Sequence, residues 1–272
     1  MKASTPLRRL ATAAALSLLI AAPLALHAQT RAKVAQPAAA PRSILWVGNS
    51  FFYYNNSMHN HFGRLVAAAG PGTPVRSSSV TISGSGLDWH DMASLMRPDG
   101  LGRYSFVGDN EIRFNKPGRQ YDTAIMMDCS QCPVHPQLQA VFHATVRQHA
   151  QTLASNDVRP VLFMSWAYKD KPGMIKDLAE QYTLAGNAND ALVIPAGLAF
   201  AKVISRRADV ELYESDKRHP SLAGTYLAAA TVYATFYRQS PVGLSYTAGL
   251  NPELATLLQT AAWDTVQEYF KP

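Results

Sequence analysis

The sequence predicts a single three-layer α/β/α domain built on a mostly parallel sheet. Three observations predict it. Short apolar runs alternate with helix-like stretches along the chain, the pattern of repeated strand–helix units. Several of those runs are apolar at nearly every position, as strands covered on both faces are. About 230 residues run from Ser43 to the end, enough for one such domain with a sizeable core.

The elements follow in order. Ser43–Gly48 (SILWVG) is a buried strand that stops at Gly-Asn-Ser. Met58–Ala69 has helical spacing and ends at the breaker Gly70-Pro71-Gly72. Val75–Ile82 is a Ser/Val/Thr strand ending in Ser83–Gly86 (SGSG), and Asp88–Met96 reads as one short helix. Pro98–Arg119 breaks the alternation with Gly, Asp and Pro, which predicts an insertion loop or small hairpin, placed over the site. Strands at Tyr121–Met127, Arg159–Ser165 and Ala191–Ile194 then alternate with helices at Leu138–Leu153, Lys176–Leu184 and Leu198–Arg207. Ser221–Tyr237 is a long Ala/aromatic helix and Glu253–Phe270 the last one. There is no internal repeat.

The charge balance excludes one function class. The chain has 25 Lys plus Arg against 19 Asp plus Glu, a formal charge of +6. Six of the basic residues (Lys2, Arg8, Arg9, Arg31, Lys33, Arg42) fall in residues 1–42, which hold no acid. Residues 43–272 therefore carry 19 of each sign and are formally neutral, so a basic nucleic-acid-binding domain is excluded. The placement of those six points to export. Lys2, Arg8 and Arg9 precede the uncharged run Leu10–Leu26, and small residues reach Ala28, the layout of a signal peptide over residues 1–28 cleaved after Ala28. An uncleaved membrane anchor is the rival, which Pro23 and the small residues disfavour. Residues 29–42 are Ala/Pro-rich and read as a flexible lead-in, leaving 43–272 as the folded domain. The expected location is a bacterial periplasm or the medium, with no membrane attachment after cleavage.

Two Ser/His signals stand at opposite ends of the domain. Asn49-Ser50 sits at the carboxyl end of the first strand, where open α/β sheets bind ligands. A Ser opening the next helix has its own N–H and the helix dipole aimed at a developing negative charge. The competing reading is a Gly-Asn turn with Ser as helix cap. The second signal is Asp216-Lys217-Arg218-His219-Pro220-Ser221, before the Ala-rich helix. Asp216 and His219 are close enough for the carboxylate to hold Nδ1–H, leaving Nε2 to take a proton from a hydroxyl. The competing reading is a surface His beside a helix start.

Together the two motifs resemble the SGNH/GDSL hydrolase superfamily, in a branch with Gly48-Asn49-Ser50-Phe51 in place of Gly-Asp-Ser. The resemblance implies the flavodoxin-like layering already read from the elements. It also implies Ser50, Asp216 and His219 as catalytic residues, with no metal or organic cofactor. An oxyanion hole is implied from the N–H groups of Ser50 and Gly84, with Gly86 as second choice, although both glycines also suit a tight turn. The family's side-chain amide, typically Asn, has no counterpart; Gln131 is the only amide in Met127–Pro133, and Cys129 competes for the position. The expected activity is hydrolysis of short acyl esters, acetyl before long lipids, on a small-molecule or glycan partner. An O-acyltransferase with the same triad and a weakened carbohydrate-binding protein on the same fold are the alternatives.

The remaining candidates are substrate-facing. Asn49, Phe51, His90 and Trp166 are expected to line the pocket, and one or two of Phe51–Tyr54, or Tyr168, to form an acyl or sugar wall. Cys129 and Cys132, the only cysteines, read as a disulfide in an oxidising compartment, with free thiols or a redox or metal role as alternatives. His59 and His61 do not share a helical face, which argues against a metal pair and for surface positions.

Overall fold

The computed structural model describes Met1 and residues 30–271, apart from 71, 73, 99, 102 and 117. The expected signal peptide and its cleavage site lie outside the described residues. Among the described residues no helix is long and apolar enough to cross a membrane.

Strand β1 (Ser43–Gly48) runs straight into the one-turn helix α1 (Ser50–Tyr53), followed by α2 (Met58–Ala68) and β2 (Arg76–Thr81). The segment expected as one helix over Asp88–Met96 is split into a 3₁₀ turn, Leu87–Trp89, and the short α3 (Met92–Leu95). Asp91 is the reason: its carboxylate accepts Ser94 N–H, and an Asp that caps a new helix cannot continue the old one. The hairpin β3 (Tyr104–Gly108) and β4 (Glu111–Phe114) fills the predicted insertion. Then come β5 (Thr123–Met126), α4 (Gln139–Ala154), β6 (Arg159–Phe163), α5 (Met174–Ala188), β7 (Leu192–Ile194), α6 (Ala196–Arg206), α7 (Leu222–Tyr237) and α8 (Pro252–Tyr269).

Five strands form one sheet in the order β2-β1-β5-β6-β7, every neighbour pair parallel. Alternation along the strands divides the core in two. Ile44, Trp46, Ile125, Phe163 and Ile194 face α2, α6 and α7. Leu45, Val47, Met126, Leu162 and Val193 face α4 and α5. Helix α7 is buried from Ala223 to Phe236, lying between the sheet and α8, which is why its sequence is apolar all round.

Two expectations change. No described residue of the insertion lines the cavity around Ser50; its ends, Pro98, Gly118 and Arg119, instead border a groove with Tyr121, Asn156 and Val158, at the amino ends of β5 and β6. The Ala/Pro-rich lead-in, read as flexible, is laid against the domain as a strap. Thr30 N and Oγ1 bond Glu180, Lys33 N donates to Asn187 Oδ1, and Lys33 Nζ pairs with Asp190. Ala32, Val34 and Ala35 pack on the core. A Pro/Ala-rich segment has little intrinsic structure, but its backbone can still be pinned by side chains distant in sequence.

Candidate active site

The sheet order reverses at β1, whose neighbours β2 and β5 lead away in opposite directions, so a crevice opens at the carboxyl ends of these strands. Three loops meet there, after β1, β2 and β5. Asn49 ties them together. Its Nδ2 donates to the carbonyls of Ser85 and Asp128, at 3.1 and 3.2 Å, while its Oδ1 accepts Phe51 N–H as the cap of α1. Asn49 thus borders the crevice with both amide hydrogens engaged by the backbone, so its role is to set the three loops.

Ser50 is the first residue of α1, where N–H groups have no partner within the helix. Its Oγ lies 2.8 Å from His219 Nε2. His219 Nδ1 bonds Asp216 Oδ2, while Asp216 Oδ1 accepts the backbone N–H groups of Arg218 and His219. Burial pushes the Asp216 carboxyl up, but the bonds from His219 and from those two backbone N–H groups outweigh it and bring it to about 2. The carboxylate is therefore ionised across any neutral range, as an imidazole-orienting group must be.

The loop carrying His219 is held at four successive carbonyls. Lys217 O accepts Lys169 N–H, Arg218 O accepts Trp166 Nε1–H, His219 O accepts Glu214 N–H, and Pro220 O accepts Asn55 Nδ2–H. Tyr54 stacks flat on the imidazole, with ring centroids 4.2 Å apart and planes at 8°, and Phe51 meets it edge-on at 5.4 Å. Ser221 caps α7 directly behind, accepting Gly224 N–H. The predicted pairing of Ser50 with Asp216 and His219 is thus brought together across 169 residues.

Asn49, Ser50, Phe51, Ser83, Gly84, Ser85, Cys129, Ser130, Tyr168, Arg218 and His219 line a cleft of about 210 Å³. A larger concavity, about 820 Å³, lies between α6, α8 and the strap, where no nucleophile and base converge among the described residues. Gly84 is in the left-handed region, φ +70°, with open space where a Cβ would stand, so conformation rather than crowding explains the glycine. Gly86 sits off the cleft beside Asp88 and Asp128.

Three site expectations fall elsewhere. Gln131 is exposed and outside the cleft lining, since the turn after Cys129 carries it outward. His90 lies one layer back, its Nε2 3.2 Å from Ser85 Oγ, because the chain turns inward at Trp89 instead of continuing as a helix. Trp166 is fully buried between Phe51 and Phe200, stacked at 4.7 and 4.2 Å, and acts on the site only through Arg218 O. His61 is also not on the surface: it is buried, with Nδ1 on Tyr246 Oη and Nε2 on Asn55 O. Cys129 and Cys132 are joined as a disulfide.

The sequence reading missed Asn55 and Ser130, and it placed Tyr54 among the wall aromatics without its stacking on His219. Tyr54 and Asn55 could have been sought from chain adjacency alone, four and five residues past a helix-opening Ser. Ser130 carries no motif; only the folded loop places its Oγ 2.6 Å from Tyr168 Oη.

No family model matches the sequence, and no curated protein matches it. Solved structures do. A protein from Slackia heliotrinireducens assigned to the SGNH hydrolases superposes with a TM-score of 0.53 at 20% identity, over 71% of this chain and 97% of that one. A DUF4886 family protein from Bacteroides uniformis gives 0.55 at 15% identity, over 82% and 93%. A catalytic mutant of Axe2, an acetylxylan esterase from Geobacillus stearothermophilus, gives 0.51 at 16%, over 73% and 96%. At these identities the likeness is one of architecture, and it agrees with the parallel sheet and its flanking helices: the chain has the fold of the SGNH/GDSL hydrolases.

Proposed function

We propose that the protein is a serine ester hydrolase acting through Ser50, His219 and Asp216. The observation that carries this is the unbroken hydrogen-bonded chain Ser50–His219–Asp216 at the mouth of a cleft bordered by unengaged N–H groups. His219 Nε2 takes the Ser50 hydroxyl proton as Oγ bonds to the ester carbonyl carbon, and the carbonyl electron pair moves to oxygen. Asp216 stabilises the imidazolium. The tetrahedral oxyanion meets the N–H groups of Ser50 and Gly84. As it collapses, the ester C–O bond breaks and the alcohol leaves with the proton from His219. Water then repeats the sequence on the Ser50 ester, with His219 again as base, and releases the acid. Each step closes with the residues present.

The substrate reading follows from the size and character of the cleft. A volume of about 210 Å³ with serine and tyrosine hydroxyls on its walls suits a short acyl group, acetyl above all, on a hydroxylated alcohol such as a carbohydrate. The acetylxylan esterase among the structural neighbours is in keeping with that class. Action outside the cytoplasm, in a periplasm or the medium, is supported by the layout of residues 1–28 and by the disulfide. The test is turnover of an aryl acetate and of acetylated oligosaccharides. The wild type is expected to hydrolyse both, and Ser50→Ala to lose roughly 10³-fold or more in kcat. Equal turnover by the two proteins would remove Ser50 from the mechanism.

A further inference from the structure

A tetrahedral oxyanion gains from every fixed donor aimed at it. In this cleft the backbone supplies two, Ser50 N–H and Gly84 N–H, which have no partner among the described residues. Side-chain amides add none: both Asn49 hydrogens lie on the Ser85 and Asp128 carbonyls, and Gln131 faces solvent. The Cys129 N–H is likewise engaged, by Asp128 Oδ1.

Side-chain hydrogens without an acceptor among the described residues remain in the lining on Ser83, whose Oγ accepts from the exposed Tyr53 hydroxyl, on Arg218, and on one member of the pair Ser130 and Tyr168; of the two hydroxyl sites only the second is backed by a buried phenol. Ser130 and Tyr168 both line the cleft, with their hydroxyl oxygens 2.6 Å apart and no other hydrogen-bond partner for either among the described residues. Two hydroxyls carry two hydrogens. One lies between the oxygens, so the other is left to donate. A phenol is the stronger donor of such a pair, which assigns the shared hydrogen to Tyr168 and leaves the Ser130 hydrogen for the cleft. A hydroxyl that accepts one bond donates a stronger one, because aligned bonds polarise each other. The pair is also held in place. Tyr168 is 5% exposed, with the Arg218 guanidinium 4.8 Å over its ring. Ser130 stands inside the small loop closed by the Cys129–Cys132 disulfide, and Asp128 anchors that loop by accepting the Leu87 and Cys129 N–H groups.

We propose that Ser130 Oγ–H is the third oxyanion donor, with Tyr168 as the residue that positions and polarises it. This assignment rests on the hydrolase reading, and the experiment separates the two. Fluorophosphonate labelling of Ser50 is read first, then kcat and KM on an aryl acetate, with melting temperature as a control. Ser130→Ala is expected to lower kcat about 10²-fold while KM stays within about threefold, as loss of a transition-state donor does. Ser130→Thr, which keeps the hydroxyl, is expected to recover most of that loss. Tyr168→Phe is expected to lower kcat roughly 3- to 10-fold, the share due to polarisation. Ser130→Ala with kcat near wild type, a loss confined to KM, or Ser130→Thr as slow as Ser130→Ala at unchanged melting temperature would overturn the assignment. If Ser130→Ala does not fold, Tyr168→Phe decides, and an unchanged kcat there overturns it. A wild type neither labelled at Ser50 nor active overturns the hydrolase reading itself, and the donor assignment with it.

Discussion

Tyr54 shows how a residue outside the three reacting groups can act on them. Its ring lies flat on the His219 imidazole at 4.2 Å, so in the proposed mechanism the cation formed when His219 takes the Ser50 proton would lie against an aromatic face. Burial, and then the negative charge of Asp216, push the Tyr54 hydroxyl up, which keeps the phenol neutral through the working range. A cation over an aromatic face is stabilised by about 0.5–2 kcal/mol, so Tyr54→Leu should lower kcat roughly 2- to 30-fold. Tyr54→Phe should recover most of that, and steady-state kinetics on an aryl acetate measures both. Equal rates in wild type and Tyr54→Leu would assign the stacking to packing alone. At this scale the sequence showed what carried its own motif. Gly-Asn-Ser and Asp-x-x-His are short, and their chemistry follows from residue type and local spacing. The contacts that reach across the chain, Asn55 to Pro220, Trp166 to Arg218 and Ser130 to Tyr168, have no local signature, because each joins residues 38 to 165 positions apart.

At the scale of elements, the loop after β5 combines a costly charge with a needed shape. Asp128 is 4% exposed, and burial raises its carboxyl to about 6 against the pull of the Leu87 and Cys129 N–H groups. The folded state thus holds this proton more tightly than the unfolded chain, whose carboxyl titrates near 3.9. Below about pH 4 the group is protonated in both states and costs nothing. Between about pH 4 and 6 stability falls, and above about 6 the full penalty applies, on the order of 3 kcal/mol. Asp128→Asn keeps an acceptor at Oδ1 for both N–H groups and removes the charge. The variant should melt higher than wild type at pH 8 and equally at pH 4; a gain that is the same at both values would contradict the account. The positions of the sheet strands were read from the sequence to within about two residues, since a short, mostly apolar run has few other uses in a chain of this class, and the edge strand β2 shows instead in its Ser/Val/Thr content. Helix Asp88–Met96 was not, because Asp91 can both continue a turn and cap a new one, and only packing of His90 against Ser85 decides between them.

The molecule as a whole divides its labour by face. The carboxyl ends of β1, β2 and β5 carry the polar loops that Asn49 fastens together, while the amino ends of β5 and β6 border the two ends of the insertion. The strap over residues 30–39 runs far from the triad, reaching α5, Asp190 and Arg159. Of the excess positive charge read from the sequence, Lys33 is paired with Asp190 in the strap, so it serves attachment to the domain. Layer order and sheet class were legible because alternation of strand and helix permits few arrangements. The place of the insertion was not, since nothing in Gly, Asp and Pro content says at which end of a strand a loop emerges. The account rests on one nucleophile, and the most direct measurement is the site at which a fluorophosphonate attaches. Peptide mass mapping should find the adduct on Ser50 in the wild type, no adduct in Ser50→Ala, and a strongly slowed reaction in His219→Ala. An adduct on another residue, or equal labelling of wild type and Ser50→Ala, would contradict it.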